Sequence, residues 1–322
     1  MNIIQPYASI IEERDPFKKI ELAGRTCYKS EKNITDESAI KFYNSLVERG
    51  HTAMLEHATF VFLLGESEKD LYELCEKSKY LNTTQRDFDT GEPTRYLVSG
   101  NLRAINESGI NALLYCLYKY DSRLVYNYNS LFPPQIHDCA LVEIDDKAYL
   151  THNGNRLPLP PLSEEEFSAH KYTSVRFICD RGVSHELVRH RPCSFAQEST
   201  RYVNYAKTVN ASDGMNFIEP AGYEDTSNDT EKGIFTMTLS ICESAYNALI
   251  AAGATPQMAR AVLPTEIKTE VVVTTNHAEW KHFFNLRSKG TTGAPHPNMK
   301  MVADIALDCY KNYVLGGLTF EV

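Results

Sequence analysis

The stretch Leu157-Pro158-Leu159-Pro160-Pro161-Leu162 constrains the fold of this chain more than any other. Three prolines in six residues suit neither a helix interior nor a central strand. Together with the acidic run Glu164-Glu165-Glu166 that follows, it reads as a stiff connector. We therefore expect residues 66–169 to form a separable insertion, with 1–65 and 170–322 making one core around it. At 322 residues the chain can bury a full core, as one large domain with an insertion or as two domains.

Periodicity on either side fills in the elements. Ala39, Phe42, Tyr43, Leu46 and Val47 mark a helix that Thr35-Asp36-Glu37 can cap and Gly50 can stop. A buried strand is expected over 59–64, and helices over 71–80 and 102–118. The apolar runs 140–144 and 148–151, separated by Asp145-Asp146-Lys147, predict a hairpin. Beyond the connector, 172–179 predicts a strand. A short helix capped by Ser184 and ended by Pro192 should follow. Long apolar spacing predicts a helix over 234–250, and Pro256 and Pro264 bound another. The β-branched run 270–275 predicts a strand; 276–287 and 298–313 predict helices. Strands and helices interleave without a regular βαβ rhythm. The expected class is α+β, a twisted, mainly antiparallel sheet flanked by helices, with a large inserted subdomain.

Charge narrows the function. The chain carries a net −9, which argues against a protein that coats nucleic acid. The start Met1-Asn2-Ile3-Ile4-Gln5-Pro6 has no secretory pattern, and no apolar stretch approaches the length of a membrane span. Eight scattered cysteines without a CxxC pair fit reduced thiols. A cytoplasmic protein is expected, with neither membrane nor nucleic-acid partners.

Against that acidic background, residues 171–207 hold seven Lys or Arg and three acids, a local balance of +4. Within them lies Arg189-His190-Arg191, with Ser199 and Arg201 further on. Guanidinium forks match phosphate and carboxylate oxygens, so the segment is a candidate anion site. Its plain alternative is a solvated helix end whose arginines pair with Glu186 and Glu198. Arg260 in an apolar, proline-stopped segment, and Asn276, His282 and Arg287 amid aromatic residues, add donors that converge if their helices line a cleft. A zinc site is disfavoured. His185 and His190 stand five residues apart, about 140° around a helix, and His277 and His282 share that spacing. Cys193 beside two arginines reads as a small filler rather than a nucleophile.

Arg189-His190-Arg191, seven residues and Ser199, then Arg201-Tyr202, resemble the signature of the flavin-dependent thymidylate synthases. Three more stretches resemble that family in the same order. They are Ala23 to Tyr28, Gly50-His51 to Glu56-His57, and Ala259-Arg260 to Pro264 followed by Asn276 to Arg287. The resemblance implies FAD-dependent methylation of deoxyuridylate (dUMP) to thymidylate. Methylenetetrahydrofolate would donate the carbon, NADPH would be the reductant, and no enzyme nucleophile would be used. It implies FAD contacts from Arg189, His190, Arg191, Glu56, Asn276 and His282. His51 would face the flavin and folate rings. Gln197, Ser199, Arg201 and Arg260 would hold the nucleotide phosphate and sugar, and Arg287 the uracil carbonyls. Glu186 stands where some members carry a glutamine beside the nucleotide. The family's sites lie between subunits of a homotetramer. Two other readings stay open: an FAD-binding NADPH oxidase-like relative without methyl transfer, and a flavin-free regulatory protein that binds dUMP.

Overall fold

The computed structural model describes residues 1–87, 93–127, 136, 138–145, 148–152, 155–208 and 214–316. Its strands are β1 (Asn2–Ile4), β2 (Tyr7–Ile10), β3 (Thr59–Leu64), β4 (Asn82–Arg86), β5 (Arg95–Asn101), β6 (Cys139–Ile144), β7 (Ala148–His152), β8 (Asn155–Pro158), β9 (Tyr172–Asp180), β10 (Ser194–Gln197), β11 (Asn216–Ile218) and β12 (Lys268–Asn276). Its helices are α1 (Pro16–Tyr28), α2 (Ser38–Glu48), α3 (Lys69–Glu76), α4 (Leu102–Glu107), α5 (Asn111–Tyr120), α6 (Glu164–His170), α7 (Arg181–Leu187), α8 (Tyr205–Thr208), α9 (Tyr223–Thr226), α10 (Asp229–Ala251), α11 (Pro256–Ala259), α12 (His277–Arg287) and α13 (Pro297–Tyr310). The class is α+β, as expected.

One antiparallel sheet runs β10-β12-β9-β2. Its centre is the long pair β9–β12, in register from Lys268 opposite Asp180 to Asn276 opposite Tyr172. Strand alternation sends Val271 and Val273 to one face and Val272 to the other. The first face packs on α12 and α13 through Phe177, Trp280, Phe284, Met299, Ala303 and Tyr310. Trp280 stacks on Phe284 with centroids 5.6 Å apart, and its indole Nε1 donates to the Thr173 carbonyl at 3.1 Å. Val272 meets Ala23 of α1 and Ala196 of β10 on the opposite face. The sheet is thus buried on both sides, which its continuous apolar runs require.

A second antiparallel sheet runs β4-β5-β3-β6-β7-β8. Its central strand β3 precedes residue 66, while the others lie within 66–169. Phe17, Tyr43, Leu55 and Phe62 share one core with Leu71, Val98, Leu113 and Leu117. The bracketed stretch is therefore built directly onto α1, α2 and β3. A short parallel ribbon, β1 with β11, joins the chain's start to Asn216–Ile218.

Several local expectations change. The helix expected over 102–118 splits into α4 and α5, because Gly109 takes a left-handed φ of 70° that ends the first. The connector is less free than expected: Pro158 pairs opposite Tyr149 on β8, an outer strand where a missing donor costs nothing. Arg86 then donates to the Pro160 and Pro161 carbonyls at 3.2 and 2.7 Å. The predicted hairpin is β6–β7, although residues 146 and 147 of its turn lie outside the described residues. Helix α7 is capped by Asp180, whose Oδ1 accepts from the Val183 N–H at 2.7 Å. Ser184 lies inside that helix and donates to the Arg181 carbonyl. The helix ends at Leu187, well before Pro192.

The expectation of no span-length apolar stretch also needs correction. By length and composition alone, α10 is apolar enough to cross a bilayer. The cause is a helix apolar on two faces. Leu239 and Tyr246 pack on Phe217 and Ile267, while Ile234, Met237 and Ile241 form an exposed i, i+3, i+7 stripe. A capping box of Asn228 and Glu231 starts the helix.

Candidate functional site

The turn between α7 and β10 is folded by its own backbone. The Arg189, His190 and Cys193 N–H groups donate to the Glu186, Leu187 and His190 carbonyls. This compact turn throws Arg189 and Arg191 into solvent on either side of a half-buried His190. Neither guanidinium makes a hydrogen bond or ion pair among the described residues. His190 turns inward, edge-on to Phe283 at 5.1 Å and 6.2 Å from the exposed His282 ring.

Arg287 closes this cluster from the last turn of α12. Its Nε donates to His190 Nε2 at 3.1 Å and its Nη1 to Glu186 Oε2 at 2.7 Å. Burial, then the charge of Arg287 and the neighbouring His282, depress His190 to about 4. The ring is neutral at pH 7. With Nε2 accepting from Arg287, its proton sits on Nδ1. Glu186 and His190 thus orient a guanidinium that keeps donors to spare.

A second group lies along the chain just after β10. Gln197 Nε2 donates to Ser184 Oγ at 2.8 Å, tying the strand end to α7. The Ser199 N–H donates to the Cys27 carbonyl at 2.9 Å, and Ser199 Oγ accepts from the Arg201 N–H at 3.2 Å. Arg201 Nε donates to Gln257 Oε1 at 2.8 Å, and Arg260 Nη1 to Thr200 Oγ1 at 3.3 Å. Ser199, Arg201 and Arg260 therefore gather into one polar patch, with Arg201 and Arg260 exposed. Gln257 is a member that sequence spacing did not suggest.

The remaining candidates are dispersed. Glu56 accepts from Arg103 Nη1 at 2.9 Å, and His51 is exposed at the start of the 3-10 turn Thr52–His57. That turn packs on β10 and β12, where His57 Nδ1 meets Thr274 Oγ1 at 2.8 Å. Asn276 caps α12 by accepting from the Glu279 N–H and donates to the Ala169 carbonyl. Among the described residues no hydrogen bond joins His51, Glu56 or Asn276 to the Arg189–Arg191 turn.

Sequence reasoning missed a buried ionic network beneath this site. Glu270, only 4% exposed, is held by Lys29 Nζ at 2.5 Å, by Arg176 Nε at 2.9 Å and by Lys268. Burial alone would raise its carboxyl, but Lys268 and Lys29 outweigh that and bring it to about 2. Lys268 Nζ also meets Glu198 Oε2 at 3.0 Å, and Tyr205 donates to Glu198 Oε1 at 2.9 Å. The plain pairing of the cation run therefore fails on both counts. Glu186 serves Arg287 and Glu198 serves Lys268, leaving Arg189 and Arg191 for something else. Burial pushes the Cys193 thiol up to about 12, as suits a filler. A separate cavity of about 500 Å³ lies at the seam of the two large sheets, lined by Lys19, Phe60, Tyr120 and Tyr172 among others. It involves none of the candidate residues.

The α+β core thus presents two guanidiniums unpartnered among the described residues, an oriented third and a polar patch with two more, a donor set whose forks match anionic oxygens. Residues 9–77 and 164–313 match the sequence model of the Thy1 family, thymidylate synthase complementing protein. The chain belongs to that family. It is 37% identical over 107 residues to the flavin-dependent thymidylate synthase of Geobacter sulfurreducens, covering 33% of this chain and 43% of that protein. It is 29% identical over 161 residues to that of Mycobacterium tuberculosis strain H37Rv, covering 45% and 59%. These alignments span about half the length of the relatives they match. Among solved structures, it is similar to a UMP/dUMP methylase, PolB of Streptomyces cacaoi, bound with 5-Br dUMP. That match has 20% identity and a TM-score of 0.39, and covers 47% of this chain and 70% of that one.

Proposed function

We propose that this chain is an FAD-dependent enzyme that methylates dUMP to thymidylate, with methylenetetrahydrofolate as carbon donor and NADPH as reductant. One observation carries the reading: Arg189 and Arg191, both unpartnered among the described residues, flank a neutral histidine that aims Arg287. Family membership and the names of the relatives support it.

The donor set suits FAD. Two guanidinium forks without partners among the described residues match a pyrophosphate, while His190, His282 and Asn276 offer ring and amide groups nearby in sequence or at α12. FAD, when bound, supplies the redox chemistry, and the protein supplies position and field. Uracil C5 becomes nucleophilic only as negative charge builds on the ring carbonyls. Arg287, half-buried and braced by Glu186 and His190, is placed to stabilise that charge. Gln197, Ser199, Arg201 and Arg260 hold the phosphate and sugar. Among the described residues no base lies against the Ser199 hydroxyl, which instead accepts from the Arg201 N–H, so its role is binding rather than attack. His51, exposed beside the sheet, faces the flavin and folate rings, and Glu56 joins the cofactor side. The family match skips 78–163, which supports reading 66–169 as an insertion grafted on β3.

The exposed stripe Ile234, Met237 and Ile241 is covered in this reading by a second copy, as part of a homotetramer. The eight free cysteines suit a reducing, cytoplasmic compartment. The test is the visible spectrum of the purified, desalted protein under anaerobic conditions. A flavin band should bleach with NADPH and return when methylenetetrahydrofolate is added with dUMP, with thymidylate formed. No flavin band after incubation with FAD would overturn the reading.

A further inference from the structure

We infer that Glu198, which faces away from the nucleotide residues, is the positioning residue for the phosphate-binding strand end. It acts through Lys268 and Tyr205 from inside the fold. The inference rests on the reading of Gln197, Ser199, Arg201 and Arg260 as nucleotide-binding groups.

Strand β10 ends at Gln197, but ladder-like pairing continues for one residue, the Glu198 N–H donating to the Glu270 carbonyl at 2.8 Å. Alternation then separates the segment into two sides. Gln197, Ser199 and Arg201 are more open, whereas Glu198 and Thr200 are buried, Glu198 to 2% exposure. A carboxylate so buried must be fully satisfied, and it is. Tyr205 donates to Oε1 at 2.9 Å and Lys268 to Oε2 at 3.0 Å, while Arg181 Nη1 donates to the Glu198 main-chain carbonyl at 3.2 Å.

Lys268 passes the restraint to Glu270, which also takes Lys29. Lys29 is the C-cap of α1, at a left-handed φ of 47°, and two residues earlier the Cys27 carbonyl accepts from the Ser199 N–H. Segment 197–201 is therefore held from four sides: by β12 through Lys268, by α1 through Cys27, by α8 through Tyr205, and by α7 through Ser184 and Arg181. Removing the charge of Glu198 releases the first and loosens the third. The outward groups keep their identities but lose their fixed spacing. The Arg189–Arg191 turn and α12 lie outside this network, so flavin binding is spared.

Glu198→Gln keeps shape and volume, and Tyr205→Phe removes a single hydroxyl should the first variant fold poorly. For E198Q we expect KM for dUMP to rise about tenfold with kcat within about threefold of wild type. Y205F should move KM the same way by about threefold, and the FAD dissociation constant should stay put in both. An unchanged dUMP KM in both variants overturns the inference, as does a loss of kcat and FAD affinity matching the change in KM. Calorimetric titration of the wild-type holoenzyme with dUMP separates the two levels. If wild type fails to bind dUMP, the functional reading falls and this inference with it. If wild type binds and E198Q binds equally well, only the inference falls.

Discussion

Glu186 with Arg287 and Glu270 with Lys268 are the same chemistry put to opposite uses. Glu270 is buried and surrounded by three cations that leave it no capacity for a ligand. Glu186 is a third exposed and touches one guanidinium, which retains donors and open space. Burial decides the difference. An ion pair taken out of water must be saturated by its neighbours, so it can only hold structure. One left at the surface of a cleft is under-saturated and can present charge to something else.

The comparison can be broken by mutation. The largest effect should come from Arg287→Ala, which removes the guanidinium oriented by Glu186 and His190. Thymidylate formation should fall by about 10³-fold or more, with bound FAD retained in the absorbance spectrum. Retained turnover would sink its role. Lys268→Met should leave the opposite signature, because it strips the buried Glu198 carboxylate of its cation and takes one of three from Glu270. A loss of about 3–5 kcal/mol in denaturant unfolding is expected, whatever the ligand. Arg189→Ala should cost neither stability nor dUMP affinity, but weaken FAD by about tenfold in a salt-dependent way, read by flavin fluorescence.

Acid should separate the clusters by pH. His190 is depressed to about 4 in the fold from an ordinary 6.5, so the unfolded chain binds more protons between those values. Its stabilisation is complete above 6.5 and is lost as pH falls towards 4. His57 and His170, depressed by burial to about 3 and about 4, act in overlapping windows. Glu270, ordinarily 4.5 and here about 2, loses its contribution only between those values. Denaturant stability measured against pH should therefore fall in two stages, and His190→Gln should shrink only the first, by about 1 kcal/mol after solvent screening. The smallest effect is expected at Gln257→Ala, which removes one exposed hydrogen bond to Arg201 and should raise KM for dUMP about twofold.

Much of the scaffold was legible because local rules and tertiary packing agree there. The β-branched run 270–275 and the periodic stretch 276–287 point to elements the structure contains. Ser184 misled because serine suits both a cap and a hydroxyl bonded back to the preceding turn, and Asp180 had the better geometry. The Arg189–Arg191 run announced itself by charge density. The Glu270 network could not, since Lys29, Arg176 and Lys268 are distant in sequence and meet only when α1, β9 and β12 pack. One signal was available: a charged residue opening a strand that is otherwise buried throughout. The partnership of Glu186 with Arg287 was hidden for the same reason, spanning |i−j| of 101.

The ribbon of β1 with β11 carries a consequence for how the molecule is made. Asn2 pairs with Asn216, and their side chains join at 3.1 Å across 214 residues. At roughly 5–20 residues per second of synthesis, the first strand waits on the order of ten to forty seconds for its partner. β3 and β5 by contrast close a loop of a few dozen residues early. The ribbon closes a far wider loop than that pair and, with three residues on each side, should be the first pairing to open. Amide exchange at Ile3 and Phe217 should report that opening long before the β9–β12 centre yields.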